Sequence, residues 1–307
     1  NCDWSSDVCS SDLVEVEIDR DGQRHFMSFR DGGQPDRPLA VTGPSPEGRT
    51  GTIVRFWPDP EIFDETTFRA QTLLERFQMM AFLNQGLEIR FRDLRPDASS
   101  GDDASDAEYT IFRYDGGIRD FVEHVNATKE ALFDTVGYFS AEEEEQEVEI
   151  AFQWNTGFNS DGLHSFANGI ATLEGGMHVQ GFRTALTRTV NAYAREKGTL
   201  KEKDENLQGE DIREGLTAIV SVRIGEPQFE GQTKSKLGNV SMRSLVERVT
   251  NERLAEWLEE HPGEAKALVT KATNAARARV AAADARKAIR SKSLLDGAGM
   301  PDKLKDC

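Results

Sequence analysis

The stretch "REGLTAIVSVRIGEPQFEGQTKSKLGN", Arg213 to Asn239, decides how the second half of this chain folds. Within it, Ala218, Val220, Val222 and Ile224 alternate through an apolar, β-branched run, which predicts a buried strand. A polar loop follows, in which Gly231 and Gly238 bracket Gln232, Thr233, Lys234 and Lys236. Such a loop is either ordinary solvated turn chemistry or a means of presenting a lysine to an anion. A helix from about Ser241 to Glu260, ended by Pro262, closes the segment.

Upstream, "EVEIAFQW" alternates Val148, Ile150, Phe152 and Trp154 and reads as a second buried strand, with the preceding "EEEE" as its solvated approach. Between the two strands, Val179, Phe182, Leu186, Val190 and Tyr193 recur at helical spacing. Gly175 and Gly176, just before that helix, are a plain turn or a pair of amides open to an anion. Downstream, an alanine-rich helix is expected from Gly263 to about Arg290, on the order of 40 Å long and better suited to a strut than to core filling.

The first third has its own pattern. Val14, Val16 and Ile18 alternate with polar residues, "RDGQ" turns the chain, and Phe26 to Phe29 return beside them as a hairpin. "TGTIVRFW" supplies a further strand, stopped by Pro58 and Pro60. A helix is expected from Asp64, with Asp64 as cap, Phe63 and Phe68 as a hydrophobic staple, and Leu73, Phe77 and Met80 on one face until Gly86. Leu87, Ile89 and Phe91 mark a last strand, and the nearly apolar-free Pro96 to Glu108 reads as a linker.

The 307 residues suit roughly two domains. No apolar run approaches the ~18 residues that span a bilayer, and no secretory leader is recognisable, so a cytoplasmic protein without membrane contact is expected. The net charge of −17 is uneven: from Glu264 onward the balance is +5, and before it −22. Overall acidity argues against coating the surface with nucleic acid, although a basic helix face can still touch phosphates. His25, His124, His164, His178 and His261 have no metal-ligand spacing, and Cys2, Cys9 and Cys307 support neither a disulfide framework nor a metal site. There is no nucleophile-elbow serine and no G-x-x-x-x-G-K-[ST] phosphate loop. Residues 1–13 stand apart: "DWSSDVCSSDL", Asp3 to Leu13, matches the in-frame translation of a sequencing-adapter oligonucleotide, so the natural sequence is expected to begin near Val14, inside a domain.

Taken without context, Lys234 is a surface lysine and Thr52 a strand threonine selected for β propensity. Several long motifs in order change that. "TGTIVRFWPDPEIF", "YDGGIRDFVEHVN", "HSFANGIATLEGGMHVQGFRTALTRTVNAYA", the opening stretch and "SKSLLDGAGMPDKLKDC" together resemble the B subunit of bacterial DNA gyrase, with its paralogue in topoisomerase IV close behind. The resemblance runs from about Val14 to Cys307. It implies an α+β fold: residues 14–94 as the C-terminal part of a GHKL ATPase sandwich, 95–107 as linker and 108–262 as a ribosomal-protein-like βαβ transducer domain. Residues 263–307 would be a long helix and connector toward a TOPRIM domain.

The same resemblance implies part of an ATP-hydrolysing type II DNA topoisomerase. Its partners would be DNA and the gyrase A subunit, and its B subunits would dimerise on binding ATP. Gln232 and Lys234 match positions of the family's QTK loop, which contacts the γ-phosphate, with Lys234 in the catalytic role. Thr52 matches a threonine near the adenine, and Arg20 an arginine at the outer rim of the nucleotide pocket. The Mg2+ ligands, the general-base glutamate and the glycine-rich lid would lie outside this stretch, and the DNA-cleaving tyrosine on the partner polypeptide. The isolated chain is therefore expected to be inactive, and a non-catalytic coupling module is the alternative. Gly169, Ala171, Met177 and Asp302 depart from the family's usual residues, and the linker is longer than usual. The basic residues of the last helix are expected to face DNA, though none matches a specific motif.

Overall fold

The computed structural model describes residues 10–31, 33–95, 108–160 and 162–296, with the side chains of the last helix described as far as Ile289. Packing divides the chain into two units, residues 1–73 and 74–307.

The first unit is built on a four-stranded antiparallel sheet of β1 (Ser11–Arg20), β2 (Gln23–Arg30), β3 (Gln34–Pro44) and β4 (Gly51–Pro58), in the order β3-β2-β1-β4. The hairpin at "RDGQ" forms because Asp21 and Gly22 both take positive φ, which a two-residue turn between twisted strands requires. Ser11 to Leu13, expected to lie outside the fold, continue β1 and pair with β4; residues 1–9 lie outside the described residues. The sequence patterning did not single out β3: its prolines sit on an edge strand, where a missing N–H costs nothing.

The helix expected from Asp64 begins six residues later. Residues 64–69 are not helical, and α1 spans Ala70–Leu83. Phe68 meets Phe56 of β4 edge-on at 5.7 Å, and together with Phe63, Val14 and Val54 they line an apolar cavity of about 550 Å³. Contact with the sheet thus competes with the staple, and a helix start at Asp64 would forfeit it.

The second unit centres on a five-stranded mixed sheet of β7 (Gly137–Glu143), β8 (Gln146–Trp154), β9 (Gly162–Ala167), β10 (Ile170–Ala171) and β12 (Leu216–Ile224), ordered β10-β9-β12-β8-β7. Within that sheet only the β9/β12 pair is parallel among the described residues. The expected solvated approach "EEEE" is the β7/β8 hairpin itself: Glu142 and Glu143 end β7, and Glu144 turns at φ +52. Alternation along β8 and β12 sends side chains to two cores. Val148, Ile150, Phe152, Trp154, Ala218, Val220 and Val222 meet α3 (Met177–Glu196), α5 (Val240–Glu260) and α6 (Pro262–Asp296). Ala151 and Ile219 face the other way, toward Ile118, Phe121 and Val122 of α2 (Ile118–Asn126) and Phe82 and Leu83 of α1. Burial on both faces is why these strands read as near-continuous apolar runs.

Two short strands, β5 (Ile89–Phe91) and β6 (Thr110–Phe112), pair antiparallel from either side of the expected linker, of which residues 96–107 lie outside the described residues. The last helix is not only a strut. Ala265, Leu268, Val269 and Ala272 of α6 are buried in the main core, whereas residues 281–289 are exposed throughout. Residues 297–307 of the expected connector lie outside the described residues. The short helix α4 (Gly209–Arg213) fastens α6: Arg279 donates two hydrogen bonds to buried Asp211, at 2.9 and 3.0 Å, and the pair raises the guanidinium pKa. Lys271 donates to the carbonyls of Thr156 and Gly157. Two of the helix's basic residues are thus structural, while Arg277, Arg286 and Lys287 remain exposed.

Candidate functional site

The polar loop between Gly231 and Gly238 is the tip of a small hairpin in the second unit. β13 (Phe229–Glu230) and β14 (Lys236–Leu237) pair antiparallel, and β14 also runs parallel to β11 (Gly175–Gly176) at the start of α3. Leu237 is fully buried in the main core, while Gln232, Thr233 and Lys234 are exposed. The foot of the loop is therefore anchored and its tip is free to meet a ligand.

Local chemistry shapes the tip. Gly231 takes φ +78 and Lys234 takes φ +54, and the Lys234 N–H donates to the Gly231 carbonyl at 3.3 Å. A lysine in the left-handed region costs on the order of 1 kcal/mol, so its neighbours must hold it there. The two lysines of the loop are sorted by their partners. Lys236 is paired with Glu230 at 2.9 Å, which raises its pKa, whereas the Lys234 ammonium forms no ion pair among the described residues. Of the two, Lys234 is the cation left for an incoming anion.

Gly175 and Gly176 do not offer two open amides. The Gly175 N–H donates to the Thr172 carbonyl at 2.8 Å, and Gly176, at φ +140, packs so closely on β14 that a Cβ there would lie 2.4 Å from the Leu237 carbonyl oxygen. This contact brings helix α3 against the loop's foot. The position was visible in the sequence as a glycine pair; its partner was not.

Behind the glycines sits a buried polar chain that sequence patterning does not reveal. Ser165 Oγ donates to the Thr172 carbonyl at 3.0 Å, and Thr172 Oγ1 shares a 3.2 Å hydrogen bond with His178 Nε2. His178 is fully buried, its Nδ1 has no hydrogen-bond partner among the described residues, and burial pushes its pKa down to about 4. Its ring is therefore neutral at pH 7. As pH falls below the ordinary value of 6.5 the unfolded chain binds a proton that the folded chain refuses, so stability drops until about pH 4. The shift corresponds to about 3 kcal/mol. Urea midpoints between pH 7 and pH 4 should show this loss, and His178→Asn should flatten that part of the profile; an unchanged slope would contradict the assignment.

In the first unit, Thr52 of β4 lies opposite Ile18 of β1, and Arg20 ends β1 two residues further on. Both are exposed, and Arg20 lies 3.6 Å from Asp21. The structure thus brings Thr52 and Arg20 to one end of one sheet, and Gln232 and Lys234 to one loop of the other unit. Between Thr52 and Arg20 in the register lies Asp19, which the sequence did not single out. Its side chain is 5% exposed, held by Arg24 through two hydrogen bonds of 2.8 and 3.0 Å and by Arg49 at 3.1 Å. The Arg24 hydrogen bond, more than burial, moves its pKa, lowering it. The signal available beforehand was only an acid in an alternating strand. Among the described residues no group of three or more His, Cys, Asp or Glu is placed to hold a metal ion. No helix of the described residues is long and apolar enough to cross a membrane.

A family model described as DNA gyrase B matches residues 117–288, more than half of the chain. The chain belongs to the DNA gyrase B family. It is 50% identical to the novobiocin-resistant DNA gyrase B protein of Streptomyces niveus and 44% identical to the DNA gyrase B protein of Mycobacterium tuberculosis strain H37Ra. Each alignment covers 97% of this chain but only 45% and 46% of the relative, so the chain spans less than half the length of these curated relatives. Among solved structures it resembles the 43K ATPase domain of Thermus thermophilus gyrase B, crystallised with an aminocoumarin, at 36% identity and a TM-score of 0.74, covering 91% of this chain and 72% of that one. The topoisomerase IV ATP-binding domain of Francisella tularensis gives the same TM-score at 26% identity, covering 90% and 72%. The α+β fold of this gyrase B family member is that of the gyrase B ATPase-domain structures, as the motifs implied.

Proposed function

We propose that this chain is the coupling portion of the B subunit of DNA gyrase, an ATP-dependent type II DNA topoisomerase, and that Lys234 is its γ-phosphate ligand. The observation that carries this reading is the loop tip: an ammonium with no ion pair among the described residues, held in a defined backbone conformation on a hairpin whose foot is buried in the core. A compact positive charge so held stabilises the negative charge that accumulates on the terminal phosphoryl group as it leaves. Gln232, two residues earlier and equally exposed, supplies an amide that donates to phosphate oxygen. In the first unit, the Thr52 hydroxyl hydrogen-bonds the base or a water on it, and Arg20 stands at the rim of the pocket.

Residues 14–94 form the end of the ATPase domain and residues 108–262 the transducer. The presence or loss of the γ-phosphate at Lys234 is then the event that biases a two-state switch. B subunits dimerise in the nucleotide-bound state, the gyrase A subunit supplies DNA cleavage, magnesium accompanies the ATP, and the exposed basic residues of α6 face DNA. The matching family model and the curated relatives are gyrase B, which supports supercoiling over decatenation as the output.

The test is a hybrid in which residues 14–307 replace the matched span of the Streptomyces niveus gyrase B protein, with that organism's gyrase A protein as partner. The hybrid should supercoil relaxed plasmid in the presence of ATP. A folded hybrid that hydrolyses ATP yet leaves plasmid relaxed would refute the coupling role.

A further inference from the structure

The tip of the lysine loop has a neighbour that none of the matched motif roles accounts for. Glu174 follows Leu173 in the turn that leads to the glycine pair, and it grips Ser235, the residue after Lys234, twice. The Glu174 N–H donates to the Ser235 carbonyl at 2.9 Å, and the Ser235 hydroxyl donates to Glu174 Oε1 at 2.9 Å. On its other side Lys234 is closed onto Gly231, so the left-handed residue sits between two fixed points.

The grip is only as firm as its support, and that support reaches the sheet. Thr172, two residues before Glu174, is almost wholly buried; its N–H donates to the Ser165 carbonyl of β9 at 2.8 Å and its hydroxyl meets both Ser165 and His178. Gly176, two residues after, is pressed on the backbone of Leu237. A turn tied at both ends to buried backbone holds its carboxylate in place, which an isolated loop could not.

We infer that Glu174 is the positioning residue for Lys234: its double link to Ser235 keeps the lysine in the left-handed conformation in which its side chain is exposed at the loop tip. Glu174 itself touches no substrate. It acts through Ser235; the neighbouring Lys236 also feels its charge, but the direct ion pair of that lysine is with Glu230. This rests on the reading of Lys234 as a phosphate ligand only for its consequence in catalysis; the mechanical claim stands on the loop alone.

Limited trypsin digestion of the 307-residue chain tests the mechanical claim, because cleavage after Lys234 requires the loop to open and its rate tracks the open population. Glu174→Ala should raise the rate of cleavage at Lys234–Ser235 about fivefold, the effect of losing one charge-assisted hydrogen bond at an exposed site. Glu174→Gln retains an oxygen that accepts from the Ser235 hydroxyl and should stay close to wild type. Ser235→Ala, approached from the other side, should match Glu174→Ala, and the double variant should cut no faster than either single one. Unchanged urea midpoints confine the effect to the loop. Equal cleavage of Glu174→Ala and wild type, or additive effects in the double variant, would overturn the inference.

In the gyrase hybrid, Glu174→Ala should lower ATP turnover while leaving binding of ADP, which lacks the γ-phosphate, unchanged. Faster cleavage of Glu174→Ala, together with normal turnover in both Glu174→Ala and Lys234→Ala, would keep the mechanical claim and sink the catalytic reading of the loop.

Discussion

Lys234→Ala in the gyrase hybrid is expected to lower kcat for ATP by about 100-fold, the usual consequence of removing one preorganised group from a charge-developing transition state. The size follows from geometry: Lys236 is neutralised by Glu230, so no second ammonium on the loop is ready to take over. Lys234→Arg should rescue only partly, because a planar guanidinium on a longer stem does not place its charge where a compact ammonium does. Thr233→Ala, at a side chain exposed on the same tip, serves as the control and should leave turnover near wild type. If Lys234→Ala loses less than about threefold in steady-state ATP hydrolysis, the lysine is not the phosphate ligand and the loop has another purpose.

The second large effect lies in the core. Trp154 is fully buried; its ring lies 5.7 Å from Phe152 and 6.3 Å from Phe133, and its indole N–H donates to the Ile212 carbonyl at 2.8 Å. Trp154→Ala opens a cavity among aromatic rings and leaves that carbonyl without its donor, so unfolding free energy should fall by about 4 kcal/mol. Trp154→Phe keeps most of the packing and loses chiefly the hydrogen bond, for about 1–2 kcal/mol. Urea denaturation followed by circular dichroism separates the two variants; equal losses would mean that the hydrogen bond, and not the aromatic packing, dominates at this position.

Trp154 and Lys234 were legible to different depths. The Trp154 strand was readable because Val148, Ile150, Phe152 and Trp154 alternate, and the structure sends all four to one core. The Arg213–Asn239 stretch and the residues after it likewise announced strand, loop and helix in order. Lys234 was legible as a residue in a family motif, yet its left-handed backbone, its lack of an ion-pair partner among the described residues and its support from Glu174 were not. Thr52 and Arg20 were placed on the right strand and turn, while the Asp19 ion cluster beside them went unseen because it is assembled from residues 5 and 30 positions away in the chain.

Local signals were enough for the β1/β2 hairpin at Asp21 and Gly22, the alternating strands β8 and β12, the amphipathic helix α3, and the family to which they belong. Periodicity and turn chemistry reach only a few residues, and there they suffice. Tertiary structure alone decided that α1 starts at Ala70, since Phe68 meets Phe56 instead of stapling a helix. It also decided that β5 pairs with β6, that the first turns of α6 complete the core, and that Glu174 reaches Ser235 across 61 positions of chain. Each of those contacts competes with a local preference of similar size, and only the folded packing shows which one wins.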